Sequence, residues 1–162
     1  MTYEEIATLP LRQLDALIAE KIEGLPVVWA PAPYRVPDRR LVDRHPWLKN
    51  ELERNPPAWK PVLRYSTAWA TIQQIIDAMA ARGMWCQLST PRTLPDGSHS
   101  MFQAIFLPYD IGPEHGTALI ETGGDDCQFM SGADAPLALA RAAMLAYSLY
   151  CNDSAKPEIA RA

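Results

Sequence analysis

The sequence predicts an α+β protein: a three-layer α/β/α sandwich with three helices over a mainly antiparallel sheet of about four strands. Three observations lead there. Apolar residues recur at helical spacing over 10–23, over 66–83 and from 134 onward. Four short strand-like runs lie between the second and third of these stretches. The connections between those runs are short, which favours a meander with strands paired in sequence order. An antiparallel sheet has one or two faces to cover, and three amphipathic helices suffice for both.

The first helix is expected from Pro10 to Glu23. Pro10 suits a first turn, where its missing N–H costs nothing. Leu11, Leu14, Ile18 and Ile22 form the stripe and Leu17 widens it. Gly24 and Pro26 then end the helix.

Residues 25–64 read differently. They hold eight of the fifteen prolines, and long helices or central strands are hard to build at that density. Their net charge is +4, which leaves −8 on the rest of a chain of net charge −4. Trp29, Tyr34, Trp47 and Trp59 are interleaved with the basic residues. A structureless loop this long is unusual in a compact domain. The segment is therefore read as irregular and pinned by its aromatics, with one short helix over Pro46–Arg54.

A second helix follows Ser66 or Thr67, either of which suits an N-cap. Trp69, Ile72, Ile75, Ile76 and Met79 make its expected buried face, and Gly83 closes it. The strands are expected at Met84–Thr90, Ser100–Leu107, Thr117–Thr122 and Cys127–Ser131. Asp96-Gly97 is the hairpin pair between the first two. Gly123 to Asp126 is a tight turn between the last two. The last helix starts at Asp134, with Pro136 in its first turn. Its stripe is Leu137, Ala140, Met144, Leu145 and Leu149, and its many alanines permit close packing. Residues 152–162 read as a frayed tail. The whole, 1–162, is expected to be one domain.

Composition narrows the function classes. At 48% hydrophobic and 21% charged, the chain is neither disordered nor fibrous. No apolar run approaches the roughly 18 residues that a membrane helix needs. The opening residues MTYEEIATLP lack a basic region, so no secretory leader is expected. An isoelectric point near 5.3 argues against dedicated DNA binding. Cys86, Cys127 and Cys151 are odd in number and widely spaced, which suits reduced thiols and a cytoplasmic location.

Three segments resemble the phage ABA sandwich domain family of small phage and prophage proteins. They are LRQLDALIAEKIEG, similar to that family's opening helix; Tyr65-Ser66-Thr67 leading into the Trp69 helix; and Gly132 to Leu145, similar to its closing helix. The resemblance spans most of residues 10–150. This chain departs from it in having Ala68 where the family usually carries an acid after Tyr-Ser-Thr, and in a longer 25–64 segment. The resemblance implies an αβα fold and a phage or prophage origin. It implies no chemistry, cofactor or catalytic residue.

Few residues suggest catalysis. His45, His99 and His115 stand at no metal-ligand spacing from one another, and a zinc site would need them to converge with Cys86, Cys127 or Asp125-Asp126. The Gly-Gly-Asp-Asp turn lacks the twelve-residue grammar of a calcium loop. No phosphate-cradling glycine motif or nucleophile elbow occurs. Glu121 alternates with apolar residues in its strand, where a solvent-facing edge position is the plainer reading. No catalytic residue, metal or cofactor is assigned.

The basic-aromatic segment stands above this background. Guanidinium groups suit phosphates, aromatic rings stack on bases, and Trp and Arg dominate interface hot spots. Arg35, Arg39, Arg40 and Arg44, with Trp47 and Trp59, are the candidate binding residues. The plainer alternative is that the tryptophans pack the segment onto the body and the arginines are solvated. The expected function is a non-enzymatic phage or prophage accessory protein. It would act by binding, either inhibiting a host protein or sequestering a small phosphorylated signal. The alternatives are a small enzyme with His99, His115 and Asp125 or Asp126 at loop ends of the sheet, or a structural oligomer such as a homodimer.

Overall fold

The fold is a computed structural model that describes residues 1–31, 44–48, 62–111 and 129–151. Its chain is α+β, with helices and two small antiparallel sheets among those residues.

Helix α1 (Tyr3–Thr8) was not foreseen, because six residues are too few to show a stripe. It is held by a capping box. The Thr2 hydroxyl accepts from the Glu5 N–H, and the Glu5 carboxylate accepts from the Thr2 N–H. Helix α2 (Leu11–Leu17) continues as a π-helical turn over Ile18–Ile22. Leu14, Ile18 and Ile22 are buried as expected. Gly24, at φ 69°, ends the run in the left-handed conformation that glycine adopts freely.

Strands β1 (Val27–Pro31) and β2 (Arg44–Leu48) pair antiparallel, from Val27 opposite Leu48 to Pro31 opposite Arg44. This corrects two expectations. The 25–64 segment contains a sheet, and Pro46 to Leu48 are strand rather than the start of a helix. The ladder tolerates Pro46 for a geometric reason. Its carbonyl accepts from the Val62 N–H at 3.1 Å, on the side away from β1. The N–H that proline lacks would point to that same side, so no ladder bond is lost.

Helix α3 (Ile72–Ala80) is entered through a 3₁₀ turn at Trp69–Thr71 and left through Gly83, at φ 77°. Ser66 and Thr67 do not cap it. The N–H groups of Thr67 and Ala68 both reach back to the Arg64 carbonyl instead, forming a turn before the helix. Ile75 and Met79 are fully buried, but Trp69 is 63% exposed. A 3₁₀ turn has about 3.0 residues per turn against 3.6, so the helical stripe projected back from Met79 misplaces Trp69.

Strands β3 (Met84–Ser89), β4 (Phe102–Pro108) and β5 (Met130–Gly132) form the second sheet, in the order β3-β4-β5. The β3–β4 turn is as the sequence predicts: Gly97 has φ 83°, and Ser98 donates its N–H and hydroxyl to the Asp96 carboxylate. The strand expected at 117–122 lies outside the described residues. The three described strands follow the order of the chain, each antiparallel to the next. Over Phe102–Ala104 the neighbour of β4 is β5 itself.

Helix α4 (Ala135–Ala146) begins as expected, with Asp134 accepting from the Leu137 N–H at 2.9 Å and Pro136 in the first turn. It is buried on nearly every side. One side lies on β4 and β5, and others meet α1, α2 and α3. The helix is therefore central among the described elements, between the sheet and the N-terminal helices. Its alanines are what allow neighbours to approach from so many directions. Leu149 falls off the stripe, 51% exposed, because the helix widens into a π-helical turn at Tyr147–Cys151 and its phase shifts. Arg141 ties the layers together, donating to the Ser131 carbonyl and the Ala7 carbonyl, each at 2.7 Å.

Candidate functional site

The β1–β2 ladder carries the described part of the expected binding segment. Pro31 stands opposite Arg44, so both ends of the connection 32–43 meet at one end of the ladder. Arg35, Arg39 and Arg40 belong to that connection, and they and Trp59 lie outside the described residues. Arg44 is the first residue of β2. Trp47 is 8% exposed and shares a face of the ladder with Val28, whereas Val27 and Leu48, on the other face, are the ladder residues that pack against the core. Trp29, on the opposite face of the ladder, is 41% exposed. The two tryptophans thus separate into one that packs and one that faces solvent.

The body meets this hairpin at a polar corner that sequence reasoning missed. Asp15, 1% exposed, sits inside the apolar stripe of α2. One of its oxygens accepts from the Arg12 guanidinium at 2.8 Å and the other from the Ser66 N–H at 2.7 Å. Arg12 also donates to the carbonyls of Val62, at 3.1 Å, and Leu63, at 3.5 Å. A buried carboxylate costs several kcal/mol unless it is paired and hydrogen-bonded, and here both conditions are met. The corner therefore fixes the chain where it returns from the 25–64 segment. The signal in the sequence was an aspartate flanked by Leu14 and Ala16 on a buried face.

A second corner gathers Glu23, Tyr65, Arg82 and Cys151. Arg82, just past α3, donates to the Ala78 carbonyl at 2.7 Å and to the carbonyls of Ile22 and Lys21 at the end of the first π-helical turn. Its guanidinium is thus committed to backbone oxygens. One buried oxygen of Glu23 has no hydrogen-bond partner. Burial raises the Glu23 carboxyl above its usual range, and the charge of Arg82 opposes the rise. Burial, with the charges of Glu23 and Asp15, pushes the Tyr65 phenol up to about 12. Burial also raises the thiols of Cys86 and Cys151, both free. A thiol raised in this way is a poor nucleophile at neutral pH.

The loop-end enzyme site finds little in the described residues. His99 lies in the exposed hairpin beside the Thr93 hydroxyl, at 3.3 Å. His115, Glu121, Asp125, Asp126 and Cys127 lie outside the described residues. Among the described residues no three His, Cys, Asp or Glu side chains are grouped to hold a metal ion. No helix among them is long and apolar enough to cross a membrane. What the described residues offer is a two-stranded hairpin beside the Arg12–Asp15 corner.

No family model matches the chain, no curated protein matches it, and no solved structure matches it.

Proposed function

We propose that this chain is a non-enzymatic phage or prophage accessory protein that acts by binding a small phosphorylated ligand through the arginines of the β1–β2 hairpin. One observation carries the reading. The ladder brings Pro31 and Arg44 together, so the residues that bear Arg35, Arg39 and Arg40 start and finish at one fixed point. Arginines on a short tether from a rigid root are suited to bidentate contacts with phosphate oxygens. Trp47 is buried, which leaves the arginines to make the contact. The phage origin rests on the resemblance of the 10–23, 65–69 and 132–145 segments, and a host-cell cytoplasmic setting goes with it. The same reading takes the complete sheet as four-stranded and covered on both faces. Ile105 and Leu107, on the face of β4 away from α4, are buried and support that view.

The test is native mass spectrometry of the protein purified from cells, set beside the double substitution R39A/R40A. The wild-type protein should carry an extra mass that leaves on denaturation, and the variant should not. If these arginines serve the ligand and not the packing, the variant should melt within about 2 °C of the wild type. A wild-type protein that carries no extra mass refutes the small-ligand reading. Protein capture from infected cells, or a mass that is a multiple of the chain, would then favour host-protein inhibition or a homodimer. A large fall in melting temperature would show that the arginines are structural.

A further inference from the structure

We propose that Arg82 is a two-position clamp at the exit of the first π-helical turn, and that ionisation of Glu23 moves its guanidinium from backbone carbonyls to the Glu23 carboxylate. The device lies in the body of the fold and goes beyond the binding reading, on which it does not depend. Glu23 follows the π-helical turn Ile18–Ile22, and its N–H closes that turn on the Ile18 carbonyl at 3.0 Å. The carbonyl of the peptide that joins Ile22 to Glu23 accepts from Nη2 of Arg82. The Lys21 carbonyl accepts from the same nitrogen at 3.5 Å, and the Ala78 carbonyl accepts from Nη1 at 2.7 Å. The guanidinium thus already touches the peptide unit that carries Glu23. Among the described residues no hydrogen bond joins the two side chains, and one buried oxygen of Glu23 has no partner.

Nη2 therefore has two alternative partners within reach. With Glu23 neutral, it serves the two carbonyls, as the structure shows. With Glu23 ionised, the carboxylate offers a charge-assisted bond, roughly twice as strong as one to a neutral carbonyl. A buried anion without a partner is unfavourable, so the nearest cationic donor is drawn to it. The move gives up the bonds to the Lys21 and Ile22 carbonyls and loosens the end of the turn, shortly before β1 begins at Val27. The neighbouring groups keep their charge from acid to neutral pH. Tyr65, in the turn over 62–66, is a phenol pushed up to about 12 by burial and by the charges of Glu23 and Asp15. Cys151, at the end of the second π-helical turn, is a thiol raised by burial. Lys21, beside Tyr147, is held cationic by its hydrogen bond to Glu20 at 2.9 Å. Arg82 stays charged throughout. Burial raises the Glu23 carboxyl and the Arg82 charge opposes the rise, so Glu23 is the group that titrates.

Nuclear magnetic resonance on the full chain, from about pH 4 to about pH 8, tests the proposal without any ligand. The Glu23 carboxyl carbon reports ionisation, and the carbonyl carbons of Lys21 and Ile22 report the bonds given up. In the wild type these should shift together, with one midpoint above the value of about 4.3 for a free glutamyl side chain. Glu23→Gln, neutral and of the same shape, should hold both carbonyls at their acid positions throughout. At about pH 8 the Leu25 amide, bonded to the Ala19 carbonyl at 2.8 Å, should exchange about threefold or more faster in the wild type than in Glu23→Gln. Arg82→Gln removes the opposing charge, so the Glu23 midpoint should rise further. A Glu23 that titrates while the two carbonyls stay in place would overturn the proposal, as would a carbonyl transition that persists in Glu23→Gln. If Arg82→Gln does not fold, Glu23→Gln decides alone. A chain that retains no ligand leaves this result standing, and failure here leaves the retained-mass experiment untouched.

Discussion

Gly132→Ala should be among the most damaging single-methyl additions this chain can suffer. Gly132 ends β5, where the strand passes against the first turn of α4. A Cβ placed there would lie 2.4 Å from the Ala138 nitrogen and 2.9 Å from both the Asp134 carbonyl oxygen and the Leu137 carbonyl carbon. All three are backbone atoms, so no side chain can swing aside. Either β5 or the start of α4 must move. Forcing a methyl into a packed site costs about 1–3 kcal/mol. Displacing the Asp134 cap adds about 1 kcal/mol, and loosening the Arg141 bond to the Ser131 carbonyl about 1 more. The sum is about 3–5 kcal/mol. For a chain of this size that is a fall of roughly 6–20 °C in melting temperature. Gly24→Ala is the control. Its Cβ would meet nothing within 4 Å, but φ is +69°. It should cost only about 1–2 kcal/mol through backbone strain. Thermal melts followed by far-ultraviolet circular dichroism would measure both. If Gly132→Ala melts at or above Gly24→Ala, the close approach of β5 and α4 is wrong.

Two further predictions follow from burial. Trp47→Ala should lower stability by about 3–5 kcal/mol, whereas Trp69→Ala should change it by no more than about 0.5 kcal/mol; equal effects in urea unfolding would contradict the packing of β2. Glu23 is raised above its usual pKa by burial, so its ionised form is less at home in the folded chain than in the unfolded one. Its contribution to stability is present at acid pH and is lost as pH rises from the ordinary carboxylate range through the raised folded value. Glu23→Gln should therefore show a smaller loss of stability between acid and neutral pH than wild type; parallel pH profiles would remove Glu23 as the cause.

Regularity decided what the sequence could reveal. Where one periodicity runs through an element the expectation holds, as for Ile75 and Met79, and local signals hold too, in Asp134 with Pro136 and in Asp96-Gly97; Ile18 and Ile22 stay buried even in a π-helical turn. The expectation failed where the period changed within an element. Trp69 sits in a 3₁₀ turn and Leu149 in a π-helical one, so a stripe with one period put both in the wrong place. It also failed where proline density stood in for geometry. Pro46 looked incompatible with a ladder, because a sequence does not show which side of a strand lacks a partner. The candidate site was less legible still. Its arginines were visible as composition, but the Arg12–Asp15 corner spans about fifty residues of chain and leaves only an acid among leucines as a trace.

The central place of α4 also governs the order in which the fold can be assembled. The helix that fills the middle is made from residues 135–146, after α1, α2, α3 and most of the sheet have already left the ribosome. Those elements can pair with one another, but the faces that α4 covers emerge bare. The bond from Arg141 to Ala7 joins residues 134 apart in the chain, so closure waits for nearly the whole of it. Contacts so distant slow folding, and the waiting surfaces are open to association meanwhile. Nascent chains stopped short of residue 135 should depend on chaperones, and chains that reach residue 146 should not.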